Sequence, residues 1–284
     1  MLSHSTSSAS LSLTDWSVDP TVLAGLGALC LLYAMAWRRG LLSSGDDVSP
    51  WFGSSRVRPW LFALGVLTGL LALQSPIDTG GDHYLLAIHM VQHLLLMMVA
   101  PPLVLLGIVG MRSPAVRVAP RVRALLTWIT RPWQATLLFN VVLLVWHIPQ
   151  LYNTTLTNDG LHIVEHLTFI AVGVVFWWPI VDPVRGPDTR LVGPFNKIAM
   201  LVLAGVPPTI LGFIFALASS VFYSFYATAP RLWGISPSAD QQLAGVIMFG
   251  VGNLVYFVAI SVIFLRLFEN PQHDEEAAAA NQDV

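Results

Sequence analysis

Charge is scarce in this chain. Of its 284 residues only 11% are Asp, Glu, Lys or Arg, against about a quarter in a soluble domain. That is too little to coat a water-facing surface, so a soluble fold is excluded. Cysteine is all but missing, and the lone Cys30 excludes an internal disulfide scaffold. A net charge of −2 offers no basic field to a polyanion, so no nucleic-acid partner is expected. What the chain does have is apolar. It is 55% hydrophobic, with ten Trp, fourteen Phe and a mean hydropathy of +0.68. Such a composition does not stay solvated as a disordered chain. The fold class that remains is all-α: a polytopic membrane helical bundle forming one domain.

A helix crosses hydrocarbon in about 20 apolar residues. Seven segments qualify, at 20–37, 57–75, 83–110, 132–151, 161–181, 196–218 and 240–268. The third and sixth carry Pro101-Pro102 and Pro207-Pro208, where missing donors and ring clashes predict kinks. The organisation expected is a tail over 1–19, seven transmembrane helices over 20–268 and an acidic tail over 269–284. The first tail lacks the basic start of a signal peptide, so span one is expected to remain as an uncleaved anchor.

Basic residues set the orientation. Arg38, Arg39, Arg56 and Arg58 follow span one, and Arg112, Arg117, Arg121, Arg123 and Arg131 follow span three. Arg185, Arg190 and Lys197 follow span five, and Arg266 ends span seven. Thirteen of the fourteen therefore fall on one side, Arg231 alone on the other. The positive-inside rule makes the rich side cytoplasmic, with the N-terminus outside and the C-terminus in the cytoplasm. The aromatic stretch at 219–237 is expected to form an interfacial helix, with Phe222, Tyr223, Phe225, Tyr226 and Trp233 at headgroup level. Trp51, Trp60, Trp128, Trp133, Trp177 and Trp178 read as interfacial belt residues.

The eight histidines are not scattered. His4 and His273 lie in the tails, but His83, His89, His93, His147, His162 and His166 all fall toward the external ends of their spans. His89 and His93 are four apart on one helix face, as are His162 and His166, and such pairs can clamp a metal from two sides. With span three starting at residue 83, His89 and His93 would lie roughly 9 and 15 Å below its start. The face continues through Met97 and Pro101. Imidazole suits copper and zinc, and thioether favours Cu(I). Beside these stand Asn140 on the His147 face, Glu165 next to His166, Asp240 and Gln241 opening span seven, and Met248 two turns inward.

Plainer roles compete for each residue. A single intramembrane His often bridges helices, Met97 can be core filler, and Asp240 serves equally as a helix N-cap. Glu165 can orient a neighbouring imidazole, accept a proton or pair with a charge. Six polar rings at one depth are harder to assign to packing alone, because polar groups in lipid are costly.

Four stretches carry a family resemblance. HMVQHLLLMMVAPPLVLLG at 89–107, WHIPQLYNTTL at 146–156, LHIVEHLTFIAVGVVFWWPI at 161–180 and DQQLAGVIMF at 240–249 resemble the CtaG family of cytochrome c oxidase assembly factors. The likeness spans roughly residues 60–268. It implies a seven-span, multi-pass protein of a prokaryotic plasma (inner) membrane that matures haem–copper oxidases and delivers or inserts copper. It implies the motif histidines His89, His93, His147, His162 and His166 as the metal site; His83 lies before the motif, and it stands with Met97, Glu165, Asp240 and Met248 as a further candidate read from the residues alone. Phe249 departs from the pattern, standing where a Trp is expected. Some relatives carry a fused copper-import domain; no segment here reads as one, so import is not expected of this chain itself.

The implied activity is carriage, not catalysis. Copper, as Cu(I) or Cu(II), is the expected cargo, and zinc accepts the same donors. Cytochrome c oxidase subunits, a further copper chaperone and membrane lipid are the expected partners. Neutral imidazoles bring ligands without charge, and bare His titrates at about 6.5, so metal binding is expected to fall as pH drops through that range. The alternatives are a haem-b electron-transfer protein, with His147 opposite His93 or His166, or a metal-dependent membrane enzyme using Glu165. A transporter fits less well, because the polar stripe stops in the outer half.

Overall fold

The computed structural model describes residues 10–42, 56–112, 119–185 and 192–280. Residues 1–9 and 281–284 of the expected tails, Trp51, Arg117 and Arg190 lie outside the described residues. The described chain is a helical membrane bundle. In order it forms α1 (Pro20–Arg38), α2 (Arg58–Gln74), α3 (Pro76–His83), α4 (Leu86–Leu94), α5 (Ala100–Gly107), α6 (Pro120–Ile129) and α7 (Pro132–Trp146). Then come α8 (Pro149–Thr155), α9 (Asp159–Val181), α10 (Pro194–Leu217), α11 (Ser224–Thr228), α12 (Pro237–Val246) and α13 (Gly252–Ala280). Residues 111–112 pair with 184–185 as a two-residue parallel ladder.

Local chemistry starts these helices. Pro20, Pro76, Pro120, Pro132, Pro149, Pro194 and Pro237 each open one, where the missing N–H costs nothing and φ is already helical. Side chains of Asp19, Ser75, Asn158 and Ser236 accept from the first-turn N–H groups of α1, α3, α9 and α12.

Among the described residues five helical segments are long and apolar enough to cross a membrane: 20–38, 86–107, 159–181, 194–217 and 237–267. Two bent pairs raise the number to seven if each is one span, α2 with α3 at 40° and α7 with α8 at 77°. The polarity of the bundle is inverted relative to a soluble protein. Leu167, Phe257 and Leu265 are at least 60% exposed, whereas Gln92, Glu165, Asp240 and Gln241 are buried. Met97, Phe139, Phe169 and Phe176 centre the main core. A second cluster of Leu86, Met90, Tyr152, Tyr223, Tyr226 and Met248 sits at the histidine end.

The structure corrects several expectations. Span three begins at Leu86, not at residue 83, because the chain breaks at Tyr84-Leu85; His83 ends α3 and is exposed. In span four the helix α7 stops at Trp146 and the chain bends by 77° into α8, since Pro149 removes a donor and holds Ile148 extended. Proline acts differently at the two sites. Before Pro101, residues 95–99 form one wide π-turn, with the Ala100 N–H reaching the Leu95 carbonyl, which gives the ring room. At Pro207-Pro208, α10 continues as α-helix through both prolines. A second π-turn covers 247–251, before α13. α13 carries on to Ala280, so the start of the acidic tail is helical.

The aromatic stretch is no interfacial helix. Only Ser224–Thr228 is helical, Trp233 is exposed, and Tyr223 and Tyr226 are buried, turned inward over the bundle end. Polar side chains tie the segment down: Gln241 Oε1 accepts from Phe222 N (2.7 Å), Gln241 Nε2 donates to Ser220 O (3.0 Å), and Asn153 Oδ1 accepts from Phe225 N (2.9 Å). Trp177 leaves the expected belt too. It is buried beside Phe176 in the main core, and Trp178 packs against that core, while Trp60, Trp128 and Trp133 stay exposed.

Candidate metal centre

The helix that carries His89 and His93 has no cap of its own, because Leu85 precedes it. Asp240 supplies one from α12. Its Oδ2 accepts from Leu86 N and its Oδ1 from Ala87 N, both at 2.9 Å and fully buried. A carboxylate at a helix N-terminus also complements the helix dipole. Asp240 is thus a remote N-cap, its two oxygens spent on backbone. From the other side Gln92 Nε2 donates to Ala72 O (2.9 Å) and Asp78 Oδ1 (2.8 Å), tying α4 to α2 and α3. At Gly81, a Cβ would meet the Cα of His89 at 3.0 Å, so glycine allows α3 to lie against the start of α4.

Five imidazoles converge beneath the 219–237 segment. Ring centroids are 4.3 Å apart for His89 and His93 and 4.1 Å for His162 and His166. Across helices, His89 stands 5.4 Å from His162, His93 stands 5.7 Å from His166, and His147 stands 6.1 Å from His93. The sequence spacing explains the first two distances, since i,i+4 rings share a face. The His89–His162 and His93–His166 distances come from packing the π-turn that continues α4 against α9, which is close because Gly173 has no side chain, and a Cβ there would meet Met97 O at 2.8 Å; His147 is brought in by the end of α7, which also packs on α9. Tyr152 sits 5.5 Å from His89 and stacks on Tyr223 at 4.1 Å, forming a roof.

Hydrogen bonds fix two tautomers. Burial pushes the Tyr226 phenol well above its ordinary value, so it stays protonated. Its one hydrogen goes to Gly81 O at 2.6 Å, a group that can only accept. Tyr226 Oη must then accept from His89 Nδ1, 2.7 Å away, which leaves the lone pair on His89 Nε2. Likewise His147 Nδ1 donates to Leu143 O at 2.8 Å, leaving its lone pair on Nε2. A metal ligand held through its other nitrogen has this arrangement.

The other nitrogens are unspent. The Nε2 atoms of His89, His93, His147, His162 and His166 are all buried without a hydrogen-bond partner, as are both Glu165 oxygens and Asp82 Oδ1. Buried polar atoms are nearly always partnered, so this concentration of orphans needs a reason. Among the described residues two groups have donor atoms mutually within 4.8 Å: His89–His93–His166, all buried, and Asp82–His89–His162, nearer the surface. Such nitrogen and oxygen sets are ones a copper or zinc ion can use. Glu165 Oε1 lies 3.8 Å from His93 Nε2, beside the buried triad and not among the groups above. His147 is outside both triads.

Below the rings lies a cavity of about 30 Å³, room for one small ion or water. His93, His147, Met90, Met97, Met98 and Met248 line it together with apolar groups. Met97 and Met248 therefore belong to this cavity, not to either triad. His83 packs near Tyr84 and outside both triads. The sequence reading missed Asp82, Tyr152 and Tyr226. Asp82 sits in a separate helix, so its seven-residue offset from His89 reads as nothing special. No spacing brings Tyr226 back over residues 137 positions earlier.

The profile of the family described as cytochrome c oxidase caa3 assembly factor (Caa3_CtaG) matches residues 15–270. Uncharacterized proteins of Mycobacterium bovis and Mycobacterium tuberculosis are each 26% identical over 269 residues, which cover 87% of this chain and 38% of theirs. One from Mycobacterium leprae is 25% identical over 275 residues, 89% of this chain and 39% of its own. The chain spans about two fifths of the length of these curated relatives. No solved structure matches it.

Proposed function

This chain belongs to the cytochrome c oxidase caa3 assembly factor family, and we propose that within it the chain carries copper to the oxidase under assembly. The metal is cargo, held among His89, His93 and His166 and released to an oxidase subunit docked alongside in the membrane. The observation that supports this reading most is the set of five buried imidazole Nε2 atoms with no partner, two of them held in the ligating tautomer. Three neutral imidazoles bind a metal while adding no charge to a lipid-buried site, a balance that suits holding and release. The four thioethers beneath favour copper over zinc, because sulfur ligands select Cu(I). Asp240 and Tyr226 act by position, setting α4 and the His89 ring. Nothing in the role calls for turnover of a substrate.

This reading takes the orientation that the basic residues predict, with the histidine end facing outward across the plasma membrane of a prokaryote. A haem role fits this geometry poorly, since rings crowded at 4.1–6.1 Å leave no slab for a macrocycle. The test is genetic and analytical. Cells carrying His93→Gln with His166→Gln should make the protein in the membrane but yield a caa3-type oxidase deficient in copper. Oxidase with its full copper complement in that strain would overturn the proposal.

A further inference from the structure

The two triads described above have one residue in common, and it has one nitrogen to give. Tyr226 occupies Nδ1 of His89, so Nε2 is the only atom it can offer to either group. One lone pair bonds one ion. We propose that the triads are alternative positions for a single metal cation, and that the outer one, Asp82–His89–His162, is where the cation is first taken up. This rests on the metal-carrying role argued above and assigns it a route.

Exposure orders the two positions. The Asp82 side chain is 24% exposed and that of His162 14%, whereas Glu165 and His89 are fully buried and His93 nearly so. A cation arriving from water meets Asp82 and His162 first, because they are the most exposed of the ligands. His162 Nε2 lies 3.5 Å from Asp82 Oδ1, close enough for both to bind the same ion. The outer set is one carboxylate and two imidazoles; the inner set is three imidazoles with no carboxylate among them.

Transfer then needs no free ion in the bundle. The metal keeps its bond to His89 Nε2 while the Asp82 and His162 bonds break and bonds to His93 and His166 form. The short ring separations within each i,i+4 pair, 4.3 and 4.1 Å, make each a single step for the ion. The exchange conserves charge on the metal and needs no oxidant or reductant. His89 is the pivot, and the Tyr226 contact that fixes its ring also keeps the pivot nitrogen bare.

The test uses the full chain purified in detergent and mixed rapidly with Cu2+, followed by visible absorption. Wild type should give two phases, an early spectrum of mixed oxygen and nitrogen ligation and a later one of nitrogen ligation, ending at one Cu2+ per chain. Asp82→Asn and, separately, His162→Gln should lose the early phase and load at least tenfold more slowly. His93→Gln combined with His166→Gln should stop at the early spectrum. A single wild-type phase whose rate is unchanged by both outer substitutions overturns the route, as does simultaneous binding of two Cu2+ per chain. Failure of wild type to bind copper either as Cu2+ or, under reducing conditions, as Cu+ is a different result and would defeat the metal-carrying role itself.

Discussion

The phenol oxygen of Tyr226 stands 2.7 Å from Nδ1 of His89, and its hydrogen is already committed to the carbonyl of Gly81. A residue in a connecting segment thus decides which nitrogen of a membrane-buried imidazole is bare. Removing the phenol oxygen leaves the ring free to change tautomer and to rotate. Losses of this kind cost about 10- to 100-fold in metal affinity. Tyr226→Phe should therefore fold, keep its thermal transition within a few degrees and bind Cu2+ in that range more weakly in a chelator competition. Unchanged affinity would show that the contact does not set the ligand.

Asp240 holds the start of α4 through two buried bonds to Leu86 N and Ala87 N. Asp240→Ala leaves both donors unmet and should destabilise the protein by about 1–2 kcal/mol. Asp240→Asn keeps one acceptor oxygen and should lose less. Thermal unfolding in detergent ranks the three proteins. If alanine and asparagine are equally tolerated, the capping role is wrong.

Gly173 lets α9 approach the π-turn of residues 95–99. Gly173→Ala would set a methyl 2.8 Å from Met97 O and 2.9 Å from Pro101 Cγ, mostly rigid neighbours. Overpacking of this kind typically costs about 1–3 kcal/mol. The spacing between His93 and His166 should widen with it, so both the melting temperature and copper affinity should fall together. A fall in neither would mean the helices give way freely.

The fold was legible because hydrocarbon imposes a length and a composition that sequence displays directly. The His89/His93 and His162/His166 pairs were legible for the same reason, since helical periodicity alone sets an i,i+4 face. What lay hidden were relations across the bundle. Nothing near Asp240 in sequence says that it caps a helix 154 residues away. The 219–237 segment misread as interfacial because aromatic residues suit a headgroup layer and a buried roof equally well. Its polar ties, Gln241 and Asn153, come from other elements. Trp177 misled similarly, since a Trp at a span end fits either a lipid belt or a core. The breaks at Tyr84-Leu85 and Ile148 shifted span limits by a few residues, which moved His83 out of span three.

Protons compete with a metal for imidazole lone pairs, so binding carries a pH sign independent of which triad is filled. Each ligand must be neutral to bind, and acid removes that form. Copper retained by the purified protein should fall as pH is lowered from about 7.5 to about 5, around the range where bare imidazole titrates. Flat retention across that interval would argue against His ligation.

On the reading proposed above, imidazoles from α4 and α9 hold one metal ion together. Elemental analysis of copper-equilibrated protein, after removal of free metal, reads this directly for wild type, His93→Ala and His166→Ala. About one copper per chain is expected in wild type, whereas each variant that still runs as a folded species in detergent keeps only the outer ligand set and loses most of its copper when free and weakly held metal is stripped with a chelator. Full loading retained in both variants would contradict it.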